Sequence, residues 1–463
     1  MVAPINKIPP EILASVPGFW DTNEGDENVI ALTHVCRVWR EVFVSQPSLW
    51  TDFRCLDADK TRAYLERSKS SPINVSLYRP YGMSPNDPFF QVIPYCISQL
   101  GSLFLNGTTD NLPYITAHLS LPAPLLENLS ISGNGAHALT PTLFNGDLSS
   151  LRRLHLRSVR TKLPWRNMIN LTTFQLAHIS SGEISIRQLL DFFESAPRLR
   201  EAELCFAILS SDTKNGRLVS LKSLETMCIL DCGPPSALLD HLLIPIGARL
   251  TMRSNSPHFR IRDILPKSLD NLKNFPDFTT IRLFIEDSEF PGMDFRGPNG
   301  LVSAATAHPE IVDGTHFVLE SFTHFDVSKT KRFGISYGEF LSRDPLYRAL
   351  LSMNDLRAVL VDECTSPDIF IEALDPSRSS SEGVVCPKLE KLYLVLRTDE
   401  GPFDLKVVIG MAAARASRGK ILNTVRIVDE RDEPNLEDVL ELRKHVQYVE
   451  YGPCDKAFYN EWP

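Results

Sequence analysis

One pattern constrains this 463-residue chain more than any other: apolar-x-x-apolar-x-apolar, returning along most of its length. It is met by Leu100/Leu103/Leu105, Leu126/Leu129/Ile131, Leu151/Leu154/Leu156, Leu171/Phe174/Leu176 and Leu199/Ala202/Leu204. It returns at Leu224/Met227/Ile229, Phe278/Ile281/Leu283, Leu356/Val359/Val361, Leu389/Leu392/Leu394, Leu422/Val425/Ile427 and Val446/Val449/Tyr451. Through Leu224 the first positions stand 26, 25, 20, 28 and 25 residues apart. The last two apolar positions alternate with polar ones, the mark of a short strand with one buried face. Such a unit cannot hide its own apolar side, so neighbouring units must stack. Beyond Leu224 the spacing lengthens, which predicts insertions or lost units, and the boundaries between 250 and 350 stay open.

Helical periodicity fills several of the gaps. Residues 185–193 carry a serine cap followed by Ile186, Leu189, Leu190 and Phe193 on one face. The same reasoning predicts helices over 57–68, 236–244, 338–353, 405–417 and 436–446. Composition fits firm elements with sharp breaks: 60 leucines and 33 prolines against 23 glycines. The units resemble degenerate leucine-rich repeats, whose period is roughly 20–29 residues. The asparagine or cysteine expected eight residues after the first leucine occurs only at Asn134, Cys232 and Cys364.

Charge and cysteine content exclude some classes of function. With 48 Lys+Arg against 57 Asp+Glu the net charge is −9, which disfavours nucleic-acid and anionic-membrane partners. No run reaches the roughly 18 apolar residues of a membrane span, and the first ten residues lack the apolar stretch of a secretory leader. Nine scattered cysteines without a CxxC read as reduced thiols, so the expected location is cytoplasmic or nuclear.

The first 55 residues have their own pattern. Ile8-Pro9-Pro10-Glu11-Ile12-Leu13 opens a short helix, with proline fixing φ in its first turn. An acidic loop follows over 19–28. From Val29 a helical pattern places Leu32, Val35, Cys36, Trp39, Val42 and Phe43 at i, i+3, i+4, i+7 spacing. Gln46-Pro47-Ser48-Leu49-Trp50 then stops it. Three short helices cannot bury this much apolar surface alone, so part of it must meet the following domain or a partner.

These residues resemble an F-box. The match is Ile8-Pro9-Pro10-Glu11-Ile12, then Val35-Cys36-Arg37-Val38-Trp39-Arg40, then Pro47-Ser48-Leu49-Trp50, in order and register. The loop over 19–28 is longer and more acidic than the usual pattern. The whole chain is similar to the large F-box families of mushroom-forming fungi. The resemblance implies an α/β architecture: a three-helix F-box over 1–55, a connecting helix and first strand over 56–99, and a leucine-rich-repeat solenoid over 100–463. The solenoid would be a curved, mainly parallel sheet with helices on its convex side.

The same resemblance implies a non-catalytic subunit of an SCF-type (cullin-RING) ubiquitin ligase. The F-box would bind the Skp adaptor, and the repeats a target protein. Carried over by position, the adaptor-binding residues are Ile8, Pro9, Ile12, Leu32, Val35, Cys36, Trp39, Leu49 and Trp50. The alternative is a repeat scaffold in which the N-terminal segment serves only as a cap.

In such a stack the residues alternating with the core leucines line one sheet face. Arg153, His155 and Arg157 would stand there, with Glu201 and Glu203 two strands on and Thr173 and Gln175 between them. This is a candidate substrate face. No cofactor or metal site is expected. His308, His316 and His324 are spaced by eight without a carboxylate pattern, and no phosphate loop, nucleophile elbow or zincin motif occurs.

Overall fold

The computed structural model describes residues 9, 12–13, 26–53, 58–78, 94–106, 116–134, 138–139, 143–161, 167–179, 184–207, 217–233, 235–255, 261–275, 278–286, 290–307, 322, 325–336, 343–364, 367–378, 383–396, 403–429 and 435–452. The chain divides into two compact units, Met1–Leu224 and Glu225–Pro463.

The first unit opens with helices α1 (Asp26–Thr33), α2 (Arg37–Val44) and, after a single 3-10 turn at Pro47–Trp50, α3 (Ala58–Ser68). The single helical run read from Val29 is broken. His34 and Val35 form a turn, and Cys36 is extended (φ −160°, ψ 175°). Arg40 Nε crosses the break to the Thr33 carbonyl at 2.9 Å. The 3.6-residue periodicity persists through the break by coincidence, which is why spacing alone reads one helix.

Among its described residues this unit contributes seven strands to the large sheet, in chain order and all parallel: β1 (Asp52–Phe53), β2 (Ile73–Tyr78), β3 (Leu100–Asn106), β4 (Asn128–Ser132), β5 (Arg153–Arg157), β6 (Thr173–Ile179) and β7 (Glu201–Ala207). Backbone hydrogen bonds repeat from strand to strand. The first leucine of each unit closes a tight turn onto the carbonyl three residues earlier: Leu126 to Ala123, Leu151 to Leu148, Leu171 to Met168 and Leu199 to Ala196, at 3.0–3.1 Å. Those acceptor residues are themselves buried. The packing pattern therefore has a fourth apolar position, three residues before the first leucine, that the sequence reading did not use. The next N–H reaches back one unit, Arg152 to Glu127, Thr172 to Arg152 and Arg200 to Thr172, each at 2.8 Å.

Seven residues after the first leucine, Ser158, His178 and Phe206 adopt φ of 51°, 55° and 50°. In the second unit Asp231 and Glu363 do the same at 56° and 48°. The following position is buried and held by Val159, Ile179, Ala207, Cys232 and Cys364. A left-handed residue thus ends the strands, and small or branched apolar side chains fill most of the places where a ladder asparagine was sought.

Helix α4 (Ile186–Ser195) connects β6 to β7. Ser185 Oγ accepts from Gln188 N at 3.2 Å and Gln188 Oε1 from Ser185 N at 3.0 Å, a complete capping box. Its buried face is Ile186, Leu189, Leu190, Phe192 and Phe193, in agreement with the spacing.

Among its described residues the second unit contributes ten strands to the large sheet: β8 (Thr226–Leu230), β9 (Arg249–Ser254), β10 (Thr280–Glu286), β11 (Phe290–Gly297), β12 (Gly300–Thr306), β13 (Arg332–Ser336), β14 (Ala358–Asp362), β15 (Lys391–Val395), β16 (Leu422–Val428) and β17 (Val446–Gly452). The spatial order is β8-β9-β12-β11-β10-β13-β14-β15-β16-β17. β11 runs antiparallel to both neighbours, so an inserted hairpin interrupts the parallel series. Gly300 turns into β12 at φ 135°, where a Cβ would stand 2.6 Å from the Ala248 carbonyl oxygen.

Two parallel strands escaped the sequence pattern because the first-leucine position is not apolar. It is Gly247 (φ 87°) before β9 and Thr330 before β13. Thr330 nevertheless makes the same turn, to Val327 at 3.0 Å, and is fully buried.

Helices α5 (Pro235–Leu239), α6 (Ile261–Ile264), α7 (Arg343–Leu351), α8 (Pro367–Leu374), α9 (Leu405–Ser417) and α10 (Leu436–Leu442) lie between strands. α9 has the predicted bounds. α5 and α10 are shorter than predicted, because Leu242–Leu243 is extended and Val446 already belongs to β17. For α7, 338–342 lie outside the described residues. Helices α7 to α10 pack each on the next. The architecture is mixed α/β with an extensive, mostly parallel sheet that does not close into a barrel.

Candidate functional site

The N-terminal helices build a small core of their own. Leu13, Leu32, Trp39 and Phe43 pack together, with Cys36, Val42 and Leu49 partly buried against them. Trp39 and Phe43, one helical turn apart on α2, meet edge to face at 5.5 Å. The Pro9 carbonyl starts the first turn, accepting from Ile12 N and Leu13 N at 3.0 Å each.

The residues carried over from the resemblance separate into three groups. Ile12 and Val35 face solvent at 56% and 52% exposure, Pro9 is also exposed, and Val38, not singled out from the sequence, is 44% exposed. Leu32 and Trp39 (8% exposed) lie in the helical core, with Cys36 and Leu49 at its margin. Trp39 is thus buried among helical residues, contrary to the exposure its place in the docking set implies. Trp50 stands apart from both groups and is fully buried. Its indole N–H donates to the Phe43 carbonyl at 2.9 Å, its ring meets Tyr64 of α3 at 4.9 Å, and the Arg67 guanidinium covers it at 4.2 Å. Ile8 lies outside the described residues. Leu13 was missed, and its place directly after Ile12 was the available signal.

The Asn74 N–H donates to the Thr51 carbonyl at 2.7 Å, and β1 pairs with β2. The helical segment is therefore continuous with the sheet of its own unit.

The second candidate surface is the sheet face of the first unit. Register places Arg153, Thr173 and Glu201 in one row across β5, β6 and β7, and His155, Gln175 and Glu203 in the next. The two rows share a face because alternate residues point the same way. The carboxylates are engaged within the sheet: Glu201 accepts from Thr173 Oγ1 at 3.2 Å, and Glu203 from Gln175 Nε2 at 3.0 Å and Cys205 Sγ at 3.2 Å. Burial lowers the pKa of His155 below its ordinary 6.5; the Glu203 charge opposes this shift and the Arg153 charge adds to it. Toward β2, the same unit carries a groove of 630 Å³ lined by Ser76, Phe104, Asn106, Ser130 and Ser132 together with Leu77 and Leu105. The sequence pattern drew attention only to the charged alternates of β5 to β7; the same alternation on β2, β3 and β4 brings Ser76, Phe104, Asn106, Ser130 and Ser132 to this groove.

The second unit differs on the corresponding alternates. Ala358, Leu360, Tyr393, Val395 and Val428 form a buried cluster, and Arg282, Ser336 and Asp362 form a hydrogen-bonded chain across β10, β13 and β14. Burial raises the Asp362 pKa, against the opposing Ser336 hydrogen bond and Arg282 charge. Of the histidines weighed as ligands, His308, His316 and His324 lie outside the described residues. Among the described residues no group of three or more His, Cys, Asp or Glu is arranged to hold a metal, and no helix is long and apolar enough to cross a membrane. Scanned against models of known protein families the chain matches none, and a search of curated proteins returns no relative.

Proposed function

We propose that this chain is the substrate-recognition subunit of an SCF-type ubiquitin ligase. In this reading the N-terminal helices are an F-box that docks on the Skp adaptor, and the strand units are a degenerate leucine-rich-repeat solenoid that holds a target protein. The subunit has no chemistry of its own. It raises the target's effective concentration at the ligase's catalytic partners. The observation that carries the reading is the exposure of Ile12, Val35 and Val38 on a helical cluster whose own core is already filled. Apolar side chains left outside a completed core suit a protein interface.

The test is co-purification with the Skp adaptor. The wild-type chain should retain the adaptor, and the double substitution Ile12→Asp, Val35→Asp should release it with the melting temperature unchanged. Adaptor retained by the double variant overturns the reading. Trp39→Ala serves as the contrast, because it should lower both stability and binding.

One observation favours the scaffold alternative. Trp50 is buried against Tyr64 and Arg67, and Thr51 is bonded to β2, which is how a cap would join the first strand of a stack. That alternative predicts a wild-type chain that never retains the adaptor.

A further inference from the structure

The sheet face of the first unit is unevenly satisfied. Asn128 Nδ2 donates to Ser102 Oγ at 2.9 Å, and Thr173 and Gln175 hold Glu201 and Glu203. By contrast, the side chains of Ser76, Asn106, Ser130 and Ser132, all lining the 630 Å³ groove, have no hydrogen-bond partner among the described residues. Beside them stands Phe104, 46% exposed. The volume falls within the range of about 300–1,000 Å³ typical of ligand sites.

The next strand supplies charge. Register sets Arg157 beside Ser132 and Arg153 beside Asn128. Both arginines are exposed, and neither guanidinium has an ion pair or hydrogen bond among the described residues. Other arginines in this unit do: Arg152 meets Glu127 at 3.4 Å, and Arg217 meets Asp191 and Glu194 at 2.7 and 2.8 Å. In a chain of net charge −9, two neighbouring unpaired guanidiniums form a local reversal of sign.

We propose that the groove and the Arg153/Arg157 pair together bind an extended acidic peptide segment of the target protein, with carboxylates four residues apart. The identity of the occupant as a target rests on the receptor reading above. Arg153 and Arg157 are four residues apart on one strand, with His155 between them on the same face, so their Cα atoms stand about 13 Å apart. Carboxylates at i and i+4 of an extended peptide have the same spacing and face the same side. Each guanidinium can take one carboxylate in a two-point hydrogen bond. The serine hydroxyls and the Asn106 amide then meet the peptide's own polar groups, and Phe104 packs on a neighbouring side chain. A basic segment is disfavoured at this end, because the carboxylates in these rows among the described residues are already engaged: Glu201 and Glu203, two strands away, by Thr173 and Gln175, and Asp52, on the far side, by Asn74.

The experiment is fluorescence polarisation of the full chain with labelled decapeptides on a Ser/Gly background. The peptides carry Glu-Ser-Gly-Ser-Glu, Gln-Ser-Gly-Ser-Gln or Lys-Ser-Gly-Ser-Lys at the centre. The Glu peptide should bind at least tenfold tighter than the Gln peptide, and the Lys peptide weakest of all. Arg153→Ala, Arg157→Ala should abolish the preference without moving the melting temperature, and Ser130→Val, Ser132→Val should weaken binding of the Glu peptide several-fold. Equal binding of the three peptides, or an acidic preference that survives loss of both arginines, overturns the proposal. The adaptor is absent from this assay, so its outcome is separable from that of the co-purification test.

Discussion

At the scale of single residues, burial and charge set two exceptions to the usual placement of polar groups. Arg415 in α9 is fully buried and meets no acidic residue among the described residues. Its Nη1 and Nη2 donate to the Val385 and Cys386 carbonyls, each at 2.9 Å. Burial lowers its pKa and pushes the neighbouring Cys386 thiol up to about 12, which leaves that cysteine a structural, unreactive group. His155 is the second exception, and its titration can be measured. Its folded pKa lies below the unfolded 6.5, so between those values the unfolded chain binds more protons. Stability should therefore fall as pH drops below 6.5 through this window. His155→Gln should flatten that part of the profile, read as the urea midpoint at pH 7.5 against pH 5.5. An unchanged slope would mean the ring titrates as it does in water.

At the scale of elements, the strand units show what a sequence pattern can and cannot carry. Leu151, Leu154 and Leu156 were legible because apolar spacing reports burial directly. The turn acceptors Ala123, Leu148, Met168 and Ala196 were not, because their role is a backbone hydrogen bond that any residue can make. β9 and β13 were lost where Gly247 and Thr330 replace the expected leucine, and the β11–β12 hairpin has no counterpart in the pattern at all. The helical site was legible in its motif. Its division into exposed Ile12 and Val35 and buried Leu32, Trp39 and Trp50 was not, because the break at 34–36 rotates the faces of α1 and α2 independently.

The strand ends give a prediction at this scale. A non-glycine residue at φ near +50° carries a cost of roughly 1 kcal/mol. Ser158→Gly should accordingly stabilise the chain by about 0.5–1 kcal/mol in urea unfolding. His178→Gly should gain nothing, since it removes the His178–Phe206 stack at 4.8 Å and 9°. Equal shifts for the two variants would show that the stack contributes nothing.

At the scale of the molecule, stability in a chain of stacked units is a sum over neighbours rather than one global event. With two compact units, urea unfolding should resolve into two transitions. Trp50→Ala, which empties a fully buried aromatic site, should lower one of them by about 3–5 kcal/mol. Arg415→Ala, which leaves two carbonyls without their donor, should lower the other by about 2–4 kcal/mol. A single transition moved by both variants would mean that the units unfold as one.

The left-handed strand ends have a consequence for how such a chain can diversify. The position is occupied by Ser158, His178, Phe206, Asp231 and Glu363, so its backbone shape is imposed by the neighbouring units and not by glycine. In the first unit Ser158, His178 and Phe206 stand at the ends of the adjacent strands β5, β6 and β7, like teeth of a comb at about their 4.8 Å pitch. A tooth can be exchanged while the register beneath it stays fixed. The outline offered to other molecules can therefore drift quickly in evolution while the stack that carries it is conserved, a division of labour that a glycine at each end would forfeit.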